Sequence, residues 1–176
     1  MVYKIYLSLG SNLGNPTLNL EQAIDILNER AGKVISRSSF YHTEPWGFES
    51  ENEFVNGCIA LITTFTPLEM LKLTQEIERE IGRTAKSNGS YADRIIDIDL
   101  LLIDQIDADE TDLNTPDAPL TGPGKPVVMN VENLVIPHPL MHKRTFVMDP
   151  LSEIEPEKIH PVLLKSLAEI TKLIER

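Results

Sequence analysis

"RIIDIDLLLI", residues 94–103, is an Ile/Leu-rich run interrupted by two aspartates. Its composition predicts a strand buried on both faces. Asp is disfavoured in strands, and a lone carboxylate is costly to bury. Side chains alternate along a strand, so Asp97 and Asp99 point the same way, with Cα atoms roughly 6.6 Å apart at ~3.3 Å per residue. A shared cation accounts for such a pair. Mg²⁺ takes hard oxygen ligands, usually one or two carboxylates together with substrate phosphates. Two carboxylates on one face also suit two ions about 3.5–4 Å apart. The alternative is a strand end that has emerged into solvent, against which stands the apolar continuation from Leu100 to Ile103.

Working outward, the segments before this strand alternate in kind. Tyr3, Ile5, Leu7 and Leu9 alternate with Lys4, Tyr6 and Ser8 and predict a first strand. "GSNLGN" turns the chain, and Asn15 followed by Pro16 is a helix start. Leu20, Ala23, Ile24, Leu27 and Ala31 form its apolar stripe, which Gly32 ends. Residues 33–42 read as a second strand, 43–52 as an irregular loop, and "EFVNGCIALITTF" as a third strand. Thr66-Pro67-Leu68-Glu69 has the pattern of a capping box, with Met70, Leu73, Ile77 and Ile81 as the helix stripe and Gly82 as its stop. The order β-α-β-β-α-β predicts an α+β, ferredoxin-like core: an antiparallel sheet with both helices on one face. The aspartate strand is then expected between strands one and three, or next to one of them.

After the aspartate strand the pattern changes. Residues 104–117 hold six acids and no base, and "APLTGPGKP" follows. Residues 104–128 are therefore expected to be an exposed excursion. The C-terminal part predicts two or three helices, the last with Leu163, Leu164, Leu167, Ile170, Leu173 and Ile174 on one face. These helices are expected to cover the sheet face that the first two leave open.

Bulk properties narrow the function classes. A chain of 176 residues with 41% hydrophobic content fits one compact domain. A net charge of −11 excludes a broad basic face for duplex nucleic acid or anionic membrane. No apolar run reaches the ~18 residues of a membrane span. The N-terminus has no signal-like apolar region, and the one cysteine, Cys58, fits a small core residue in a reducing cytoplasm.

Three further segments carry candidate chemistry. "GRTAKSNGSYADR" sets Arg83, Lys86 and Arg94 among small residues, either to close over polyphosphate or as an ordinary solvated loop. It is not a Walker A loop. Phe54 and Asn56 share a strand face, and Trp46 precedes them; a planar heterocycle suits these three, as does plain core packing with a turn role for Asn56. "IPHPLMHKRTF" brings His138, His142, Lys143, Arg144 and Phe146. The histidines lack the Glu of H-E-x-x-H, so phosphate contact suits them better than zinc, the other reading being an exposed helix start.

In combination, "LGSNLG" at 9–14, "SSFYHTEPWG" at 38–47, "FVNG" at 54–57, "IEREIGR" at 77–83, "DRIIDIDLLL" at 93–102 and "IPHPLMHKRTFVMDPL" at 136–151 resemble the 6-hydroxymethyl-7,8-dihydropterin pyrophosphokinases of folate biosynthesis. The resemblance runs along nearly the whole chain. It implies transfer of pyrophosphate from ATP to the pterin hydroxymethyl group, with AMP as the second product. It implies that Asp97 and Asp99 hold two Mg²⁺ ions and that Asn56 hydrogen-bonds the pterin. Phe54, Phe146 and Trp46 would wall the ring, and the backbone from Thr43 through Pro45 to Trp46 would read its edge. Gln75, Glu78, Ile98, His138 and Arg144 fall at nucleotide-side positions, and Arg83 and Arg94 match arginines of a catalytic loop. That loop departs from the family pattern R-x-R-x-x-R-W-G-P-R: its inner arginines are absent, Lys86 stands in for one, and Tyr91 lies near the usual Trp. A cytoplasmic monomer acting on small molecules is the expected setting. The rival readings are a non-catalytic ferredoxin-like ligand-binding module and another Mg²⁺-dependent phosphoryl or nucleotidyl transferase.

Overall fold

The computed structural model describes residues 1–82, 92–106 and 124–176. In chain order the elements are β1 (Val2–Ser11), α1 (Pro16–Arg30), β2 (Lys33–Arg37), β3 (Tyr41–Thr43), β4 (Phe54–Thr63), α2 (Pro67–Ile81), β5 (Asp97–Ile106), β6 (Lys125–Pro126), β7 (Met129–Val131), β8 (Leu134–Ile136), a 3-10 turn (Met141–Lys143), α3 (Thr145–Ile154) and α4 (Leu167–Leu173). The main sheet runs β2-β4-β1-β5-β6, with β3 also pairing β4, and every pairing is antiparallel. This is the expected ferredoxin-like α+β arrangement. β5 lies next to β1, the second of the two expected placements, and among the described residues its other edge pairs with Lys125–Pro126, at Asp104 and Gln105.

Both helix starts follow from local chemistry. The Asn15 side chain accepts from the Leu18 N–H, and Thr66 and Glu69 form a reciprocal capping box. Leu20, Ala23, Ile24 and Leu27 of α1 and Met70, Leu73 and Ile77 of α2 pack on Ile5, Leu7, Leu9, Ile59, Leu61, Ile98 and Leu100 of the sheet. The second face carries Tyr6, Cys58, Ala60, Leu101 and Leu102 under Val147, Met148 and Leu151 of α3 and Leu167 and Ile170 of α4. The C-terminal helices thus cover the open face as expected. Among the described residues, no helix is long and apolar enough to cross a membrane.

Four boundaries differ from the sequence reading. β5 starts at Asp97, not Arg94, because the Arg94 peptide bonds the turn after β1: its N–H donates to Asn12 Oδ1 (2.8 Å) and its carbonyl accepts from the Asn12 N–H (3.1 Å). Residues 33–42 are two strands, not one. At the break Ser38 takes over pairing with Cys58, its N–H donating to the Cys58 carbonyl and its hydroxyl accepting from the Cys58 N–H, both at 2.9 Å. The expected excursion over 104–128 does not begin at 104, since Asp104 and Ile106 are buried in β5 and Lys125–Pro126 return to pair with that strand; residues 107–123 lie outside the described residues. The last helix begins at Leu167, leaving Leu163 and Leu164 exposed before it, and Leu173 at its end is exposed as well.

One irregularity sets which way β5 faces. Tyr6 pairs with Leu102 but Leu7 pairs with Leu100, so Leu101 is an extra residue in β5. A β-bulge of this kind shifts the in/out phase of a strand. Leu101 and Leu102 accordingly both enter the core under α3.

Gly32 shows how tightly α1 meets the sheet. Its φ is +154°, and a Cβ there would lie 2.0 Å from the Ile62 carbonyl oxygen. Backbone cannot rotate aside as a side chain can. Gly32→Ala is expected to lower stability by about 2–3 kcal/mol. An unchanged urea midpoint would speak against this packing.

Candidate functional site

The sheet register assembles the site. On β1, Gly10 lies between Asn56 of β4 and Asp97 of β5, and Ser8 lies between Cys58 and Asp99. Tyr41 of β3 extends the first row beyond Asn56. Strands sit about 4.8 Å apart, so the Asn56 and Asp97 backbones are roughly 9–10 Å apart with a glycine between them. These rows continue the face that α3 covers at Tyr6, Cys58 and Ala60. At Gly10 and Ser8 the face instead opens into a cleft of about 540 Å³, within the range of small-molecule sites.

The amide end is walled by aromatic rings. Phe54 meets Phe48 edge-on (centroids 6.1 Å apart), and Trp46 meets Phe146 in the same manner (6.1 Å). The buried Arg144 guanidinium lies 5.2 Å from the Trp46 centroid and 5.8 Å from that of Phe146, a cation–π arrangement. The buried Asn56 side chain donates from Nδ2 to Thr43 Oγ1 at 2.6 Å.

The acidic end is shaped by charge. Asp97 Oδ2 accepts from an Arg94 guanidinium N–H at 2.8 Å. The carboxyl of Asp99 is pushed up to about 7, first by burial and then by the like charges of Asp97 and Glu78, with Arg144 and Arg94 opposing. Glu78 is buried in α2, and its Oε1 accepts the Ile98 N–H (2.8 Å), fixing the start of β5. His138 is held down at about 4, chiefly by burial and then by Arg144, so it is neutral near pH 7. Its Nδ1 accepts from the Leu140 N–H at 3.2 Å, which leaves Nε2 as the N–H donor. His138 therefore offers a hydrogen bond rather than a cation.

This donor set fits Mg²⁺. Among the described residues no group of three or more His, Cys, Asp or Glu forms a self-sufficient metal cage. Two adjacent carboxylates, one of them raised by burial and by the other's charge, suit a cation whose remaining ligands come from elsewhere.

Of the residues singled out from the sequence, Thr43, Trp46, Phe54, Asn56, Gln75, Glu78, Arg94, Asp97, Ile98, Asp99, His138, Arg144 and Phe146 all line this one cleft. Pro45 does not, although its neighbours Glu44 and Trp46 do. Arg83 and Lys86 lie outside the described residues. His142 is also apart, its ring edge-on to His160 at 6.5 Å. The sequence reading passed over Gly10, Ser8, Phe48, Asn133 and, at the start of β8, Leu134 and Val135, which also line the cleft. The signal for Gly10 was its place, two residues past Ser8 on the face that bears Tyr6.

Comparison with known proteins bears on this geometry. The family model described as 7,8-dihydro-6-hydroxymethylpterin-pyrophosphokinase matches residues 6–156. A Porphyromonas gingivalis protein named 2-amino-4-hydroxy-6-hydroxymethyldihydropteridine pyrophosphokinase is 44% identical over 158 residues, covering 89% of this chain and 93% of its own. Proteins of the same name from Bacillus subtilis and Aquifex aeolicus are each 34% identical, over 85% and 94% of this chain and 76% and 88% of their own. The fold is shared with Plasmodium falciparum HPPK-DHPS, solved among other states with pterin and p-hydroxybenzoate (TM-score 0.68, 18% identity over 98% of this chain). The present chain spans 43% of that protein's length.

Proposed function

The chain belongs to the 7,8-dihydro-6-hydroxymethylpterin-pyrophosphokinase family, and from that premise we propose how its cleft performs the transfer. The enzyme is an ATP-dependent diphosphotransferase of folate biosynthesis. The hydroxymethyl oxygen forms a bond to the β-phosphorus of ATP. The bond from that phosphorus to the α,β-bridging oxygen breaks, AMP leaves, and the hydroxyl proton passes to solvent. The observation that carries the residue assignment is the row Asn56–Gly10–Asp97, an amide at one end and a carboxylate pair at the other. A flat two-ring substrate laid along that row brings its hydroxymethyl group from the amide towards the carboxylates.

In this reading Asn56 hydrogen-bonds the pterin edge, while Phe54, Trp46 and Phe146 wall the ring and exclude water. Thr43, Glu44 and Trp46 border it, with Pro45 between them outside the cleft lining. Gln75, Glu78, Ile98 and the Nε2–H of His138 form the nucleotide side. Arg144 and Arg94 bring fixed positive charge to the phosphates, with Arg83 and Lys86 assigned the same task from the sequence. Asp97 and Asp99 hold Mg²⁺, proposed as two ions. When bound, the metal neutralises polyphosphate charge and eases loss of the hydroxyl proton. Positioning and electrostatic stabilisation then account for most of the catalysis, as phosphoryl transfer asks for little covalent work from protein side chains. A single catalytic domain, a monomeric state and a cytoplasmic setting complete the proposal.

The test is ³¹P NMR of the protein with MgATP and 6-hydroxymethyl-7,8-dihydropterin, with and without EDTA. AMP and a pterin diphosphate should form together and stop with EDTA. Formation of ADP would contradict the reaction, and turnover that survives EDTA would contradict the metal.

A further inference from the structure

Gly10 lies mid-sheet, where glycine weakens a strand and often marks a close approach of some other group. Here that group is identifiable. A Cβ on Gly10 would lie 2.8 Å from Asn56 Oδ1, while the next nearest atoms, Asn56 Cγ and a Phe54 ring carbon, are at 3.9 Å. No backbone atom is among these nearest neighbours. From the other side the same amide is held by the Thr43 hydroxyl, 2.6 Å from Nδ2. Both constraints act on one side chain, one at each end of its amide.

We propose that Gly10 and Thr43 are positioning residues that set the amide of Asn56, and through it the enzyme's selectivity for the pterin edge. The inference rests on the reading of Asn56 as the pterin contact. Gly10 leaves room for Oδ1 to lie over β1, and Thr43 restrains rotation about the Cβ–Cγ bond. Substituting Ala at Gly10 costs the fold little, because only the end of a side chain has to yield. It moves Oδ1 out of place, and small misplacements of a positioning group are expensive in function.

The experiment measures dissociation constants for 6-hydroxymethyl-7,8-dihydropterin and for MgATP by calorimetry, together with melting temperature. The proteins are Gly10→Ala, Thr43→Val and Thr43→Ser, each also combined with Asn56→Ala. Gly10→Ala and Thr43→Val should each weaken pterin binding about tenfold or more. MgATP binding should change less than about twofold, with melting temperature maintained. Thr43→Ser, which keeps the hydroxyl, should restore most of the pterin affinity. In the Asn56→Ala background both substitutions should have no further effect, because the group they act through is gone. Additive losses in that background would overturn the proposal, showing direct contact between these positions and the ligand. Unchanged pterin binding in the single variants would overturn it as well. If Asn56→Ala alone leaves pterin binding intact, the assignment of the pterin end itself fails, an outcome separate from the other two.

Discussion

Asp99→Asn is expected to cut turnover by about 10³-fold or more and at the same time to make the ligand-free protein more heat-stable at pH 8. The two effects share one cause. The Asp99 carboxyl is raised to about 7 by burial and by the Asp97 charge. A folded state that holds this proton more tightly than the unfolded chain gains stability at low pH. That gain is complete below the unfolded carboxylate value near 4 and disappears as pH rises through about 7. At pH 8 the wild-type fold therefore carries the full cost of two neighbouring carboxylates. An asparagine carries none of it and offers the metal no charge. The difference in melting temperature between variant and wild type should be small at pH 4 and grow towards pH 8, in scans without divalent cations. A difference that stays flat with pH would mean that neither burial nor the Asp97 charge raises the Asp99 carboxyl, and retained turnover would remove Asp99 from the proposed metal site.

Asn56→Ala is the second large effect. Its amide is buried and donates to Thr43, so it is preorganised at no cost on binding. With Asn56 as the proposed pterin contact, removing it leaves the ring edge without its partner, a loss of about 1–3 kcal/mol per unmade bond. With more than one such bond, pterin affinity should fall about 100-fold. ATP affinity should change by less than about twofold, because the residues proposed for the nucleotide side lie across β1. Calorimetry with each ligand separately decides it. A larger loss for ATP would invert the assignment of the two ends of the cleft.

The parts of this fold legible in the sequence are those set by local chemistry. Asn15 and Thr66 announced helix starts because a cap bonds within its own first turn. The aspartate pair stood out because its composition conflicts with its surroundings. What could not be read was set by contacts distant in sequence. The break between β2 and β3 depends on Ser38 meeting Cys58, and β5 begins at Asp97 because Asn12 takes the Arg94 peptide. Leu163 and Leu164 imitate a helical stripe. They instead lie in a loop where His160 Nδ1 accepts the Val162 and Leu163 N–H groups and Leu164 adopts a φ of +56°. In the site, residues with distinctive chemistry were legible singly. Gly10 was not, since its importance lies in a neighbour on another strand.

The extra residue at Leu101 has a bearing on how this chain can vary. Asp97 and Asp99 are odd-numbered and Asp104 is even-numbered, yet all face the same side of the sheet: the first two line the cleft, and Asp104 pairs with Lys158 beside Tyr6. Only a half-step in the strand reconciles the two parities. Any replacement of Leu101 keeps that half-step, whatever it does to packing. A one-residue deletion removes it and forces a choice between the Asp97–Asp99 carboxylates in the cleft and the Asp104–Lys158 pair. Length, more than composition, is what this strand has to conserve.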